Sequence, residues 1–336
     1  MTKIAINGLG RMGKLVIRSF FDLGLDAEIV LLNDPVGDAK LHAHLLEFDT
    51  VHGRWRADFA FDDDSITIDG HQMRKTAAWN IEDLPLKELG VDLVVDCTGV
   101  FKSNQKLQPY FDAGVKKVVV SAPVKEDDVA NIVYGVNDDT YDAEAHKVIT
   151  AASCTTNCIA PVVKVIRDKL GIEQASFTTI HDVTNTQVIV DKAHKDPRRA
   201  RSALNSLIPT TTGSAKAIIQ IFPDMAGKID GHAVRVPLLN ASLTDMVFDV
   251  GRDTTAEEVN VFFAEAAAGE LEGILGYETR PLVSCDFTND DRSTIVDALS
   301  TRVVNGKHVK IYAWYDNEWC YAFRLADVTR MVLASL

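Results

Sequence analysis

The chain has 336 residues, more than one ordinary hydrophobic core organises, which points to two domains. Its composition, 46% hydrophobic and 25% charged, is that of a soluble globular protein, and no apolar run approaches the ~20 residues that span a bilayer. A formal charge of −13 disfavours general attraction to nucleic acid or to an anionic membrane, so neither is expected as a partner.

The chain enters directly on a strand-like run, Met1 to Gly8, with no charged and apolar leader before it. Five cysteines, an odd number, make no disulfide framework and fit a reducing cytosol, so a cytoplasmic location is expected. Lys3–Asn7, Glu28–Asn33, Asp92–Cys97, Lys117–Ser121 and Lys147–Thr150 are short β-branched runs that read as strands. Helical patterns over Gly13–Leu23 and Gln105–Ala113 lie between them. That alternation predicts a Rossmann-type doubly wound parallel sheet over residues 1–153, an α/β arrangement. After Ser153 the strands lengthen: Ala233–Pro237, Thr244–Val250 and Val309–Trp314. They alternate with helices near Cys158–Leu170, Gly213–Ile221 and Ala256–Ala268, which predicts an α+β domain with a mixed sheet over 154–316. Residues 317–336 carry Trp319, Phe323, Ala326 and Arg330 at helical spacing, as a terminal helix packing back on the first domain would.

Asn7-Gly8-Leu9-Gly10-Arg11-Met12-Gly13 holds a G-x-G-x-x-G pattern after a strand and before a helix. The glycines permit a tight turn and close approach to a pyrophosphate, and the helix N-terminus offers N–H groups to it. Alone the pattern is weak, because a plain strand–turn–helix junction also uses glycine. Asp34 closes the second strand 21 residues after Gly13, where a carboxylate accepts from a ribose 2′-hydroxyl and repels a 2′-phosphate. The cofactor expected is therefore NAD.

Ser153-Cys154-Thr155-Thr156-Asn157-Cys158 follows a strand and opens a helix, whose dipole favours a thiolate at its N-terminus. His181 lies 27 residues on, at the end of the predicted strand Ala175–Ile180, a distance that lets a helix return and bring imidazole to sulfur. Together they would be an activated nucleophile and an acid/base, although a cysteine at a helix start is more often structural. Cys158 lacks the other ligands that zinc needs and reads as a packing cysteine or, second, a redox partner of Cys154. Cys97, Cys285 and Cys320 read as structural. Pro209-Thr210-Thr211-Thr212-Gly213 before a helix is either an anion site or a plain cap. Lys192–Arg201 is densely basic in an acidic chain, by default a solvated charge run.

Ala152–Cys158 resembles the active-site signature of the glyceraldehyde-3-phosphate dehydrogenases. Asn7–Gly13, Thr98-Gly99-Val100-Phe101, Ser121-Ala122-Pro123, Thr179-Ile180-His181, Ile208–Gly213, Val234–Pro237 and Trp314–Glu318 resemble further family motifs in family order, over essentially the whole chain. The resemblance implies a Cys154 thioester formed from glyceraldehyde 3-phosphate with His181 as base, then attacked by inorganic phosphate. It implies that Asn7, Gly8, Gly10, Arg11, Met12, Gly13, Asp34, Thr98, Gly99, Ser121, Asn317 and Tyr321 hold NAD, with Asn317 at the nicotinamide. It places the substrate phosphate on Thr184 and Arg235, and the attacking phosphate on Ser153, Thr155, Thr212 and Gly213. It makes the basic Lys192–Arg201 segment a loop between the subunits of a homotetramer, and it implies no metal.

Departures from the common pattern follow the histidine, where the run is His181-Asp182-Val183-Thr184-Asn185-Thr186-Gln187. Thr186 replaces an Asp, Trp79 a basic residue and Cys320 a Gly, and Lys192-Ala193 stand where NAD-specific members often carry a Leu-Pro pair, which argues weakly for tolerance of NADP. The run after His181 is similar to a branch found with arsenate-resistance systems, in which arsenate replaces the attacking phosphate. An erythrose-4-phosphate dehydrogenase, and a non-catalytic Rossmann binding module, are the alternatives; the second needs neither Cys154 nor His181.

Overall fold

The computed structural model describes all 336 residues, and they divide into two compact units. Met1–Ser153 with Ala322–Leu336 form the first, and Cys154–Tyr321 form the second. No helix is long and apolar enough to cross a membrane.

The first unit is one nine-stranded sheet. Its strands are β1 (Lys3–Asn7), β2 (Glu28–Asn33), β3 (Phe59–Phe61), β4 (Ser65–Ile68), β5 (His71–Thr76), β6 (Leu93–Asp96), β7 (Lys117–Val120), β8 (Ala130–Asn131) and β9 (Val148–Thr150). Their order in the sheet is β3-β4-β5-β2-β1-β6-β7-β9-β8, parallel from β5 to β8. The chain starts at the centre and winds outward both ways, with helices α1 (Arg11–Asp22), α2 (Ala39–Glu47), α3 (Leu86–Leu89) and α4 (Asn104–Asp112) in the connections. Strands β6 and β7 are buried at every position, which is why they read as unbroken apolar runs. One core cluster gathers Leu31, Val94, Leu107, Tyr110 and Val118 from strands and helix.

The sequence pattern missed α2 and the antiparallel β3–β4–β5 edge. These strands are short, separated by polar turns such as Asp62-Asp63-Asp64, and exposed on β3, so they carry little hydrophobic period.

The second unit carries an eight-stranded mixed sheet. Its strands are β10 (Ile172–His181), β11 (Ile208–Thr211), β12 (Ile229–Arg235), β13 (Ser242–Val250), β14 (Leu275–Glu278), β15 (Thr294–Asp297), β16 (Arg302–Val304) and β17 (His308–Tyr315). The order is β11-β12-β10-β13-β17-β15-β14, with β16 paired to β17. β10 runs parallel to β12 and antiparallel to β13, and β15 runs parallel to β14 and antiparallel to β17, so the sheet is mixed at two places. Three helices accompany it: α5 (Cys154–Leu170), α6 (Ser214–Ile221) and α7 (Ala256–Ala267). β13 alternates buried and half-buried residues throughout, the period of a sheet with one face in the core.

α5 begins at Cys154, four residues earlier than the apolar pattern places it. Its first turn is polar in sequence yet buried from Thr155 to Cys158, so hydrophobic periodicity alone does not register it. α8 (Trp319–Leu333) is the terminal helix; within the first unit, Ala322 O accepts from Ser19 Oγ at 3.3 Å and Ser335 Oγ lies 2.9 Å from Tyr141 OH.

Candidate active site

In the first unit, β1 ends at Asn7 and the chain turns through Gly8 at φ +95. A Cβ there would meet Cys97 C and Thr98 N, both at 2.7 Å, and one at Gly13 would collide with the Gly8 carbonyl. Above Gly10 nothing lies within 4 Å of a Cβ position, and no side chain caps α1. The result is an uncapped helix N-terminus beneath open space, with no acidic residue in its first turn, which suits an anionic pyrophosphate. Arg11 is paired with Asp49, whose carboxyl is held at about 2 by that bond and two backbone N–H groups despite its burial.

Asp34 stands at the end of β2 with Oδ2 accepting from Leu9 N at 2.8 Å and Oδ1 from Val36 N at 3.0 Å. The carboxylate thus ties the glycine turn to the strand end and keeps acceptor capacity for a sugar hydroxyl. Thr98 donates N–H and hydroxyl to Asp96 Oδ1 at 3.0 and 2.7 Å, while Gly99 is exposed and Ser121 half-buried. Beneath the turn a buried chain of hydrogen bonds links Asn33, Asn7, Tyr110 and Asp96 across the central strands. Burial pushes the Asp96 carboxyl up to about 6.

At the end of the first unit's leading segment, Ala152 holds φ +52 just ahead of α5, a left-handed turn in a non-glycine residue that sets Cys154, the first residue of the second unit, at the helix start. Cys154 is half-buried, and its Sγ lies 3.7 Å from His181 Nε2. His181 ends β10 and is buried. Burial opposes its protonation, yet the hydrogen bond to Asp182 and the hydrogen bond and charge of Cys154 raise the imidazole to about 9. The ring meets the edge of Tyr315 at 6.1 Å, and Tyr315 OH lies 3.0 Å from Thr155 Oγ1 and 3.3 Å from Thr179 Oγ1. Arg235, at the end of β12 in register with His181, brings Nη1 to 2.7 Å from His181 Nδ1. Its Nε is buried with no protein partner, a donor left over for an anion.

Cys158, one turn along α5, is wholly buried among Thr244 and Thr294 hydroxyls, and burial pushes its thiol up to about 12. Cys97 is likewise pushed up to about 12 by burial, Cys320 is buried, and Cys285 lies exposed, so no packing role supports the structural reading of Cys285.

Thr184 is exposed, its hydroxyl 2.9 Å from that of Thr186 and donating to Gln187 Oε1 at 3.2 Å. Thr212 Oγ1 accepts from Ser214 N at 3.2 Å, and Gly213 caps α6 without a side-chain bond. Lys192 to Lys195 are exposed, while Arg199 reaches back to Thr210 Oγ1 at 2.6 Å. Trp79 is 72% exposed.

Asn317 and Tyr321 belong to the second unit, and Asn317 Nδ2 donates to Asp182 Oδ2 at 2.9 Å. Asp182 and Tyr315 were not among the residues expected at the site. Tyr315 left only its place in a motif as a signal, whereas Asp182 sits beside the histidine in the chain.

A glycine turn on a parallel sheet in one unit, and a cysteine beside a buried histidine in the other, fit an NAD-dependent oxidoreductase. Comparison with known proteins agrees. Residues 2–104 match the family model for the glyceraldehyde 3-phosphate dehydrogenase NAD binding domain, and residues 153–317 that for its C-terminal domain. Glyceraldehyde-3-phosphate dehydrogenase 3 of a Nostoc species is 54% identical over 335 residues, 99% of both chains. The plasmid-borne glyceraldehyde-3-phosphate dehydrogenase of Cupriavidus necator is 48% identical over 99% of this chain and 98% of its own. That of Geobacillus stearothermophilus is 46% identical over 98% of each. The chain belongs to the glyceraldehyde-3-phosphate dehydrogenase family.

Proposed function

We propose that the chain oxidises glyceraldehyde 3-phosphate to 1,3-bisphosphoglycerate, with Cys154 as nucleophile and His181 as acid/base. The observation that carries this is the 3.7 Å approach of Cys154 Sγ to the Nε2 of a buried, unusually basic imidazole at a helix N-terminus. The thiolate adds to the aldehyde carbon, and the His181 imidazolium gives its Nε2 proton to the alkoxide, leaving a hemithioacetal beside a neutral ring. His181 Nε2 then takes the hydroxyl proton as the C–H bond is oxidised, leaving a thioester on Cys154. NAD, when bound, supplies the acceptor for the two electrons and the hydrogen. Phosphate attacks the thioester, and Cys154 leaves as thiolate beside the imidazolium.

Residues 1–153 are the NAD-holding domain in this reading, 154–316 the catalytic domain, and 317–336 the helix that returns to the first. Gly8, Gly10 and Gly13 clear the pyrophosphate path, with Asn7, Arg11, Met12, Thr98, Gly99 and Ser121 around the cofactor. Asp34 takes the ribose, and Asn317 and Tyr321 lie toward the nicotinamide. The spare Nε of Arg235 and the Thr184 hydroxyl serve the substrate phosphate. Ser153, Thr155, Thr212 and Gly213 serve the attacking anion, and as hydroxyl and N–H donors they set no size filter between phosphate and arsenate. The exposed Lys192–Arg201 segment packs between subunits of a homotetramer, and the enzyme works in the cytoplasm.

NADH formation from glyceraldehyde 3-phosphate and NAD tests the assignment. It should require phosphate or arsenate and vanish in Cys154→Ser. Faster turnover of erythrose 4-phosphate would overturn the substrate, and no turnover with arsenate would overturn the open anion site. Light scattering that finds a monomer at micromolar concentration would remove the tetramer.

A further inference from the structure

Three strand ends of the second sheet place buried polar groups side by side: Asp182 just after β10, Ser242 at the start of β13, and Asn317 just after β17. Asp182 is 1% exposed, and its two carboxylate oxygens do different things. Oδ1 lies 2.6 Å from His181 Nδ1, and Oδ2 accepts from Asn317 Nδ2 at 2.9 Å. Ser242 Oγ accepts from Asp182 N at 3.2 Å and donates toward Asn317 Oδ1 at 3.2 Å, closing the triangle.

His181 Nδ1 also lies 2.9 Å from the main-chain carbonyl O of Asp182, an acceptor that favours the same tautomer, and it has a rival neighbour. Arg235 Nη1 stands 2.7 Å from it, and the same Nη1 donates to Asp182 O at 3.0 Å. One ring nitrogen cannot donate to a carboxylate and accept from a guanidinium at once. If Nδ1 accepts from Arg235, the neutral ring must carry its proton on Nε2, facing Cys154, and cannot take one from a substrate hydroxyl. If Nδ1 donates to Asp182, Nε2 is left as the base, and the imidazolium formed later keeps an anion against it.

We propose that Asp182 is a positioning residue that sets the proton of His181 on Nδ1 and, through its second oxygen, fixes the carboxamide of Asn317. One carboxylate would thereby align the base and the amide that faces the nicotinamide. The second half of this rests on the dehydrogenase reading given above; the first does not. Electrostatics agree in direction. The hydrogen bond to the Asp182 carboxylate helps hold the imidazole at about 9 against its burial. Burial pushes the Asp182 carboxyl itself up, while His181 and Asn317 work against that rise. The other charged or titratable groups facing the pair are Cys154 from α5, Arg235 from β12, and Tyr315 and Glu318 from β17 and the turn after it.

Asp182→Asn keeps the shape and removes the charge. Iodoacetamide alkylation of Cys154 in the cofactor-free protein should shift its profile to higher pH, slowing about tenfold at neutral pH. kcat should fall about 10²-fold, with NAD affinity weakened several-fold. Asn317→Ala should weaken NAD and leave the alkylation profile in place. A folded Asp182→Asn protein with the wild-type alkylation profile would overturn the proposal. Should that variant not fold, nitrogen NMR of labelled histidine in the wild type decides, read above the imidazole's value of about 9 where the ring is neutral: a proton on Nδ1 with Nε2 bare is expected, and a proton on Nε2 overturns it. Alkylation and NMR need neither substrate nor NAD, so a failed dehydrogenase assignment would leave them standing, and their failure would leave that assignment standing.

Discussion

The turn from β1 into α1 and the turn into α5 both deliver the chain to a helix N-terminus, yet they are built in opposite ways. The first works by removing side chains: Gly8 and Gly13 sit where a Cβ would strike backbone, and Gly10 opens onto empty space. The second crowds side chains together: Cys154, Thr155, His181, Arg235 and Tyr315 are linked within a few ångströms. A helix N-terminus supplies the same partial positive charge in both. Bare backbone leaves that charge for an anion that comes and goes. On the proposed mechanism, a thiol and an imidazole turn it to covalent chemistry. Even within α5 the contrast repeats, since Cys158 shares the helix with Cys154 but is sealed and pushed up to about 12.

Substitutions sharpen this contrast most strongly at the crowded turn. Cys154→Ser should reduce kcat by on the order of 10⁴-fold or more while NAD still titrates, because the hydroxyl lacks thiolate character. Near wild-type turnover would refute the nucleophile. Cys158→Ser should leave alkylation and turnover close to wild type, with stability measured in parallel. His181→Asn should slow the chemical step by about 10²–10⁴-fold and shift Cys154 alkylation to higher pH. An unchanged profile would remove His181 from the pair.

At the bare turn the expectation reverses. Gly13→Ala forces a methyl onto the Gly8 carbonyl, so either the turn or α1 must move, at a cost of about 1–3 kcal/mol. Thermal unfolding should register that loss, and NAD affinity should fall, while Cys154 keeps its alkylation profile. Loss of thiol reactivity in a folded Gly13→Ala protein would break the distinction between the two turns.

Protonation offers a subtler probe. His181 is raised from 6.5 to about 9 in the folded chain, so its stabilising effect is fully present below the unfolded value. It is lost as pH rises through the folded value. The stability of the wild type relative to His181→Asn should therefore decline between those limits, by on the order of 1–3 kcal/mol in denaturant titrations. A flat difference would mean that the imidazole is not held protonated.

The bare turn was the more legible of the two because its logic is local. Three glycines within six residues, one strand before and one helix after, carry the whole design in a short window, and β1 and β2 lie where their apolar runs place them. The crowded turn draws on residues from Ala152 to Asn317, and only the resemblance to a family joined them. Asp182 was read as a departure because a lone acidic residue in a sequence gives no sign of its burial. Its function depends on β13 lying between β10 and β17, a sheet order that no local pattern contains. The strands β3 and β4 were lost for another reason: β3 is mostly exposed, and β4 is a buried run of four residues, too short to carry a period.

The smallest effect belongs to Asp34, where the two designs meet in one residue, since a charged side chain braces a turn otherwise made of glycine. Its Oδ2 holds Leu9 N and its Oδ1 holds Val36 N, so truncation to alanine would loosen the loop as well as remove the charge. Asp34→Asn is the cleaner change, because an amide oxygen retains one acceptor and the shape is kept. The negative charge opposes a 2′-phosphate, and Lys14 is a nearby cation already committed to the Leu9 carbonyl, its ammonium lowered to about 8 by burial. Lys192 and Ala193 favour NADP more weakly, for a lysine on a flexible stem can turn away. The wild type should therefore prefer NAD with measurable NADP use. Asp34→Asn should shift the kcat/KM ratio toward NADP by about tenfold, some 1.4 kcal/mol, without altering Cys154 alkylation. A wild type with the higher kcat/KM on NADP would show that the carboxylate braces the loop and does not select the cofactor.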